Sequence, residues 1–235
     1  DTSLRDMQKL RAGGFLMLPR QQRATERAEF KPYIYDLTKQ ARAHLEDHGL
    51  AEATVRPTGH WWHGLAVSRV TSSIDIAASR AGVRYIPAHM ILELDGADFA
   101  IPVGRSKLMP DQLFALDYGG GFRAFALEVD RGTEPKVSAA KRKSWARSID
   151  QYRSLVERDG FRSHYGLKAN ILVLWVFTRP GLEQRFRNLA ANYAGRLNKT
   201  LLTQTVEPDA RAPHWHLFEK NWRMAGDRTM SIAIG

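Results

Sequence analysis

The stretch that decides the fold is Met109–Asp130, MPDQLFALDYGGGFRAFALEVD. Gln112–Tyr118 is apolar and suits a strand. Gly119, Gly120 and Gly121 supply the positive φ that a tight turn needs. Phe122–Val129 then returns as a second strand. With the hairpin centred on Gly120, Asp111 and Glu128 come within one position of being cross-strand neighbours, roughly 5–6 Å apart. Asp130 lies two residues beyond Glu128 and projects to the same face. Three carboxylates at one end of a ribbon repel each other unless a cation neutralises them or one holds a proton. Oxygen ligands of this kind suit Mg²⁺ or Mn²⁺. An ion held there would activate water and stabilise a phosphorane-like transition state. A plainer reading also stands: Asp111 after Pro110 as a turn residue, and Asp130-Arg131-Gly132 as a strand terminator.

Downstream, Val137–Glu157 reads as one long helix with Trp145, Ile149, Tyr152 and Val156 on its apolar stripe. Lys141 is four residues before Trp145 and so shares the sheet-facing stripe. A lysine there could orient the attacking water or stabilise charge on a phosphate; it equally fits an ordinary surface cation. Lys143 falls off the stripe, toward solvent or DNA backbone. Asn170–Thr178 is almost wholly apolar, as a buried central strand should be. Leu182–Leu197 is a further helix; Leu201–Val206 and His214–Phe218 suit short edge strands. Upstream, Gly64–Ala81 suits an amphipathic helix, and Tyr85–Leu94 and Asp98–Ile101 short strands. Hairpin, helix, buried strand and helix make a mixed sheet with helices on its faces, an α/β arrangement.

The N-terminal part follows a different pattern. Ser3–Arg11 reads as a helix ended by Gly13-Gly14, and Phe15–Leu18 as a strand. The polar stretch Pro19–Lys31 precedes a second strand, Tyr33–Leu37. Thr38 can cap a helix Lys39–His48 that Gly49 stops. This is the order of a winged helix from its third helix onward. Its first two helices would be missing ahead of Asp1, and the chain, opening with Asp rather than Met, reads as trimmed. A generic hairpin with flanking helices fits as well. A linker around Ala51–Gly59 gives two regions, 1–56 and 57–235.

The chain has 235 residues, 43% hydrophobic and 26% charged, enough for a real core. It has no cysteine, which excludes disulfide scaffolds, thiolate zinc sites, iron–sulfur clusters and cysteine nucleophiles. Its longest apolar run is too short to span a bilayer and no signal peptide is evident, so a cytoplasmic location is expected. The net charge is +10, and the excess is local: Arg131–Lys199 holds 15 Lys/Arg against 5 Asp/Glu, while the rest holds 20 of each. Such a stretch suits a polyanion, with double-stranded DNA the first candidate, though a solvated basic face is the bland alternative. Arg131, Arg142, Lys143 and Arg147 would hold backbone phosphates, with Arg20, Arg23 and Arg27 in the N-terminal basic loop.

Pro110-Asp111 followed by Glu128-Val129-Asp130 resembles the PD-(D/E)XK nuclease core, with Asp130 where that motif has lysine. The resemblance implies that Lys141 has taken over the lysine's role, or that catalysis is weakened or lost. MPDQLFAL (Met109–Leu116), FALEVDRGTEP (Phe125–Pro135), the helix ending Ile149–Tyr152, and ILVLWVFT (Ile171–Thr178) are similar to the replication-relaxation family. YIYDLTKQARAHLEDHG (Tyr33–Gly49) matches that family's wing and following helix, and His63–Val67 its linker helix. The resemblance runs from about Ser3 to Leu189. It implies an N-terminal partial winged helix followed by a restriction-endonuclease-like mixed sheet flanked by helices. It also implies work on plasmid or mobile-element DNA: replication initiation, mobilisation or relaxase-type nicking, beside other proteins of such a complex.

Two functions follow as expectations. One is a metal-dependent DNA nickase with Asp111 and Glu128 on Mg²⁺ or Mn²⁺, Asp130 assisting and Lys141 handling water or phosphate. The other is a non-catalytic DNA-binding module that uses the same core as a basic scaffold. His44 and His48 sit at helix spacing, but the zinc-protease pattern needs Glu where Leu45 stands, so they read as a solvent-facing pair; His60/His63 and His214/His216 lack an identifiable third ligand. Tyr33, Tyr35, Tyr152 and Tyr165 could each serve a covalent relaxase step, and nothing in the sequence singles one out.

Overall fold

The computed structural model describes residues 2–18, 34–49, 61–138, 143–193, 195–207, 213–224 and 228–235. Asp1–Leu65 and Ala66–Gly235 form two compact units. The first contains helix α1 (Thr2–Ala12), strands β1 (Leu16–Met17) and β2 (Asp36–Leu37), and helix α2 (Lys39–Asp47). Gly14, at φ +79°, turns the chain out of α1. The strands pair antiparallel, Leu16 opposite Leu37. Thr38 ties turn to helix: its Oγ1 accepts from the Ala41 N–H at 3.1 Å and donates to the Gly14 carbonyl at 2.6 Å. Thr38→Ala should therefore destabilise this unit by about 1–2 kcal/mol, read as a lower denaturation midpoint. Residues 19–33, with Arg20, Arg23 and Arg27, lie outside the described residues.

The second unit is built on a sheet. Helix α3 (Trp61–Arg80) leads to β3 (Arg84–Pro87), α4 (Ala88–Glu93) and the hairpin β4 (Ile101–Val103) and β5 (Ser106–Leu108). Then come β6 (Gln112–Asp117), β7 (Phe122–Asp130), α5 (Trp145–Glu157), α6 (Gly160–Tyr165) and β8 (Ile171–Phe177). Helix α7 (Leu182–Tyr193), a 3₁₀ turn (Gly195–Lys199), β9 (Leu201–Thr205), α8 (His216–Glu219), β10 (Trp222–Arg223) and β11 (Thr229–Met230) complete it. The seven strands lie in the order β11-β10-β9-β8-β7-β6-β3. β7, β8 and β9 run parallel in the middle, with antiparallel partners on either side. The mixed α/β architecture expected from the sequence is the one observed.

Both faces of this sheet are covered, which is why β8 is buried at every residue. One face (Leu127, Val129, Leu174, Val176) packs with Val70 and Ile74 of α3. On the other, Trp175 and Phe177 meet Trp145 and Tyr152 of α5 and Phe186 of α7, ring centroids 4.3–6.1 Å apart. This second face carries Glu128 and Asp130.

Four local readings are corrected. Tyr85–Leu94 is not one strand: Pro87 ends β3, and Ala88–Glu93 (AHMILE) continues as helix, as its good helix formers favour. The strand expected at Asp98–Ile101 begins only at Ile101 and turns back at Gly104. His214–Phe218 is not an edge strand; His216–Glu219 is a helical turn, and the edge is made by β10 and β11. Finally, α5 does not start at Val137. Ser144 is its cap, in extended conformation, with Oγ accepting from the Arg147 N–H. That boundary alters the functional site.

Candidate active site

The register of β6 on β7 sets Gln112 opposite Leu127 and Leu113 opposite Ala126. Asp111 stands just before β6, on the face that carries Glu128. Its N–H donates to the Leu127 carbonyl at 2.9 Å, and its Oδ2 accepts from the Val129 N–H at 2.8 Å. Asp111 is thus fastened to the strand that bears Glu128. The two acidic groups share one face and one end of the ribbon.

Glu128 is 2% exposed. Its Oε1 accepts from the Tyr152 hydroxyl at 2.6 Å and its Oε2 from Lys143 Nζ at 2.7 Å. Burial pushes the carboxyl up to about 7; Lys143 and Tyr152 pull it down, while the charge of Asp111 raises it further. Lys143 also reaches Glu134 Oε1 at 3.1 Å. Burial acts to lower the pKa of Lys143, but Glu128, Asp111 and Glu134 outweigh it and hold the ammonium above its ordinary range. The Glu134 carboxyl is raised, by burial first, with Lys143 opposing. Its Oε2 is buried and has no hydrogen-bond partner among the described residues.

Asp130 has another environment. It is 2% exposed. Its Oδ1 accepts from the Gly132 N–H and its Oδ2 from Trp145 Nε1, both at 2.6 Å. It anchors the turn after β7 and the first residue of α5. So Asp130 does not face Lys143 as Glu128 and Glu134 do.

Lys143, placed at the solvent or DNA backbone by its position off a helical stripe, instead bridges two carboxylates. The stripe argument fails because α5 begins after Ser144, so Lys143 precedes the helix cap. Lys141 and Arg142 lie outside the described residues. Arg131 is half-buried directly after Asp130, and Arg147 is exposed on the first turn of α5. Glu134 was missed altogether. The signal available for Lys143 was Ser144, a strong cap residue just before the apolar run opening at Trp145. Two tyrosines weighed for covalent chemistry have engaged hydroxyls: Tyr152 on Glu128 and Tyr165 on the Phe99 carbonyl. Among the described residues, no group of three or more His, Asp or Glu lies close enough to hold a metal.

An acid on the entry to one strand, a buried glutamate on the next and a lysine paired to it form the site. The family model for replication-relaxation matches residues 1–171. The chain belongs to the replication-relaxation family. The match spans the first unit, the β6–β7 ribbon and α5, and ends at the first residue of β8, short of the Leu189 reached by motif comparison. No curated protein and no solved structure matches the chain. Membership in the replication-relaxation family places it with plasmid or mobile-element replication and processing. Among the described residues, no helix is long and apolar enough to cross a membrane.

Proposed function

We propose that this replication-relaxation protein is a metal-dependent DNA endonuclease or nickase whose site is Asp111, Glu128 and Lys143, with Glu134 beside them. The observation that carries the reading is the Lys143–Glu128 pair at 2.7 Å, made on the face that Asp111 shares. A lysine from the approach to α5 stands in for the one missing at Asp130.

The donor set fits Mg²⁺ or Mn²⁺. Mg²⁺ is often held by one or two carboxylates, with water completing its shell. Asp111 and Glu128 supply two, and the unpartnered Glu134 oxygen is an acceptor that a bound water or ion would satisfy. A bound ion would contribute Lewis acidity and an activated water. The chain's own residues do the rest. Lys143 brings a fixed positive charge to where a scissile phosphate would meet the carboxylates. Tyr152 and the aromatic floor hold Glu128 in one rotamer, away from bulk water. Arg131 offers a guanidinium to a flanking phosphate.

The second reading, a non-catalytic DNA-binding scaffold, is favoured by one observation: both oxygens of Glu128 already accept hydrogen bonds within the protein. Nicking of supercoiled plasmid with Mg²⁺ or Mn²⁺ separates the two. Wild type should convert plasmid to open circles, and Asp111→Ala should lose this by about 10²-fold or more. Full activity in both Asp111→Ala and Glu128→Gln would eliminate the nuclease.

A further inference from the structure

Beside the site above lies a set of cations of which that reading uses only Arg131. The C-terminal ends of β7, β8 and β9 stand in one row, with Asp130 beside Phe177 and Phe177 beside Thr205. Open α/β sheets bind ligands just beyond the carboxyl ends of parallel strands. Arg131 leaves the first of these ends, and Arg179 follows the second. A Cβ on Gly132 would lie 2.6 Å from Arg179 Cδ and 3.1 Å from its Nε. Gly132, at φ +78°, therefore makes the turn and clears the path of the Arg179 side chain. This path brings two guanidiniums together: the Arg131 pKa is lowered, by burial first and then by the charge of Arg179. Neither has a carboxylate partner among the described residues. Two cations side by side repel, and an anion between them would reverse the sign of the interaction.

Along the same edge opens a cleft of about 490 Å³, lined by Gly181, Gln184, Gln204, Lys220, Asn221 and Arg223. Its acid, Glu183, is already engaged by the Thr203 and Thr205 hydroxyls at 2.8 Å and by Arg223 at 3.5 Å. The amides of Gln184, Gln204 and Asn221 already donate to Asn188, to the Lys220 and Asn221 carbonyls and to Thr229, so the exposed Lys220 ammonium is the donor left for a singly charged phosphodiester.

We propose that the Arg131–Arg179 pair and the Lys220 cleft form a backbone-binding track, in which successive DNA phosphates run from the carboxylate site over Gly132 and into the cleft. It rests on the nuclease reading only for the identity of the anion as DNA. It adds which way the strand leaves the carboxylates, toward β8 and β9.

The test is binding, kept apart from cleavage. Fluorescence anisotropy of a short labelled duplex with the full chain, in EDTA and over a KCl series, gives affinity and log–log slope. Arg131→Gln/Arg179→Gln should weaken binding about tenfold or more and reduce the slope by about 2 phosphates' worth; Lys220→Gln should reduce it by about 1. Arg84→Gln removes a cation paired with Asp117 at the far end of the ribbon and should leave the slope alone. Arg179 and Lys220 are exposed, so their single variants give the readout even if the double variant fails to fold. Unchanged slope and affinity in the folded variants, or no duplex binding by wild type, would overturn the track. Duplex binding by wild type with the expected slope losses in the variants, but no nicking by wild type in Mg²⁺ or Mn²⁺, would count against the nuclease and leave the track standing.

Discussion

Lys143→Met is expected to lower plasmid nicking by about 10²-fold or more while leaving a folded protein. Methionine keeps most of the aliphatic stem and its packing and removes only the ammonium. That ammonium is the cation facing Glu128, and it offsets the charges of Asp111 and Glu134 as well. Without it three acidic groups crowd one low-dielectric site, and Glu128 holds its proton to a higher pH. The residual activity should therefore move to higher pH, which a purely structural lysine would not cause. Lys143 is 45% exposed along its side chain, but Glu128 is 2% exposed, so the fold survives the loss of the ammonium by Glu128 taking up a proton. Lys141→Met, made beside it, decides between the two lysines, and the smaller loss is expected there. Full nicking by Lys143→Met with a large loss in Lys141→Met would return the role to Lys141.

Parts of this site were legible in sequence for a physical reason, and parts were not. The ribbon Met109–Asp130 could be read because a triglycine turn fixes register, and register fixes which acids share a face. β8 could be read because a parallel strand covered on both faces must be apolar throughout. Thr38 and Gly49 marked α2 by cap chemistry alone. The helix beyond the ribbon was misplaced at its start. Val137 and the alanines after it extend a helical pattern by composition, and only Ser144 argues for a later beginning. The later start brings Lys143 to Glu128 and removes the stripe argument that favoured Lys141 over Lys143, which requires a helix running through both. Glu134 could not be found by periodicity, since it sits in a turn where no period applies. β10 and β11, two residues each, carry no repeat at all.

The buried glutamate should make stability fall as pH rises through the acidic range, and Glu128→Gln should remove that fall. Its carboxyl titrates near 7 in the folded chain against 4.5 as an ordinary group, because burial disfavours its charge. Between those values the folded chain binds more protons at this site than the unfolded chain does. Raising pH from about 4.5 to 7 therefore costs stability, on the order of 3 kcal/mol from this group. His214 acts oppositely over much of the same range. Burial first, then the charges of Arg69 and His216, lower it to about 4, so its contribution is lost as pH falls below 6.5. In wild type the two slopes partly cancel. In Glu128→Gln the slope from Glu128 is gone while those of the histidines and of Glu134 remain, and urea midpoints should climb relative to wild type from pH 4.5 to 7. Parallel profiles for the two proteins would refute the assignment of the raised carboxyl to Glu128. The same titration governs metal: a ligand carboxylate must shed its proton first. The melting-temperature rise produced by Mn²⁺ should thus be small at pH 6, grow through pH 7, and be absent in Glu128→Gln.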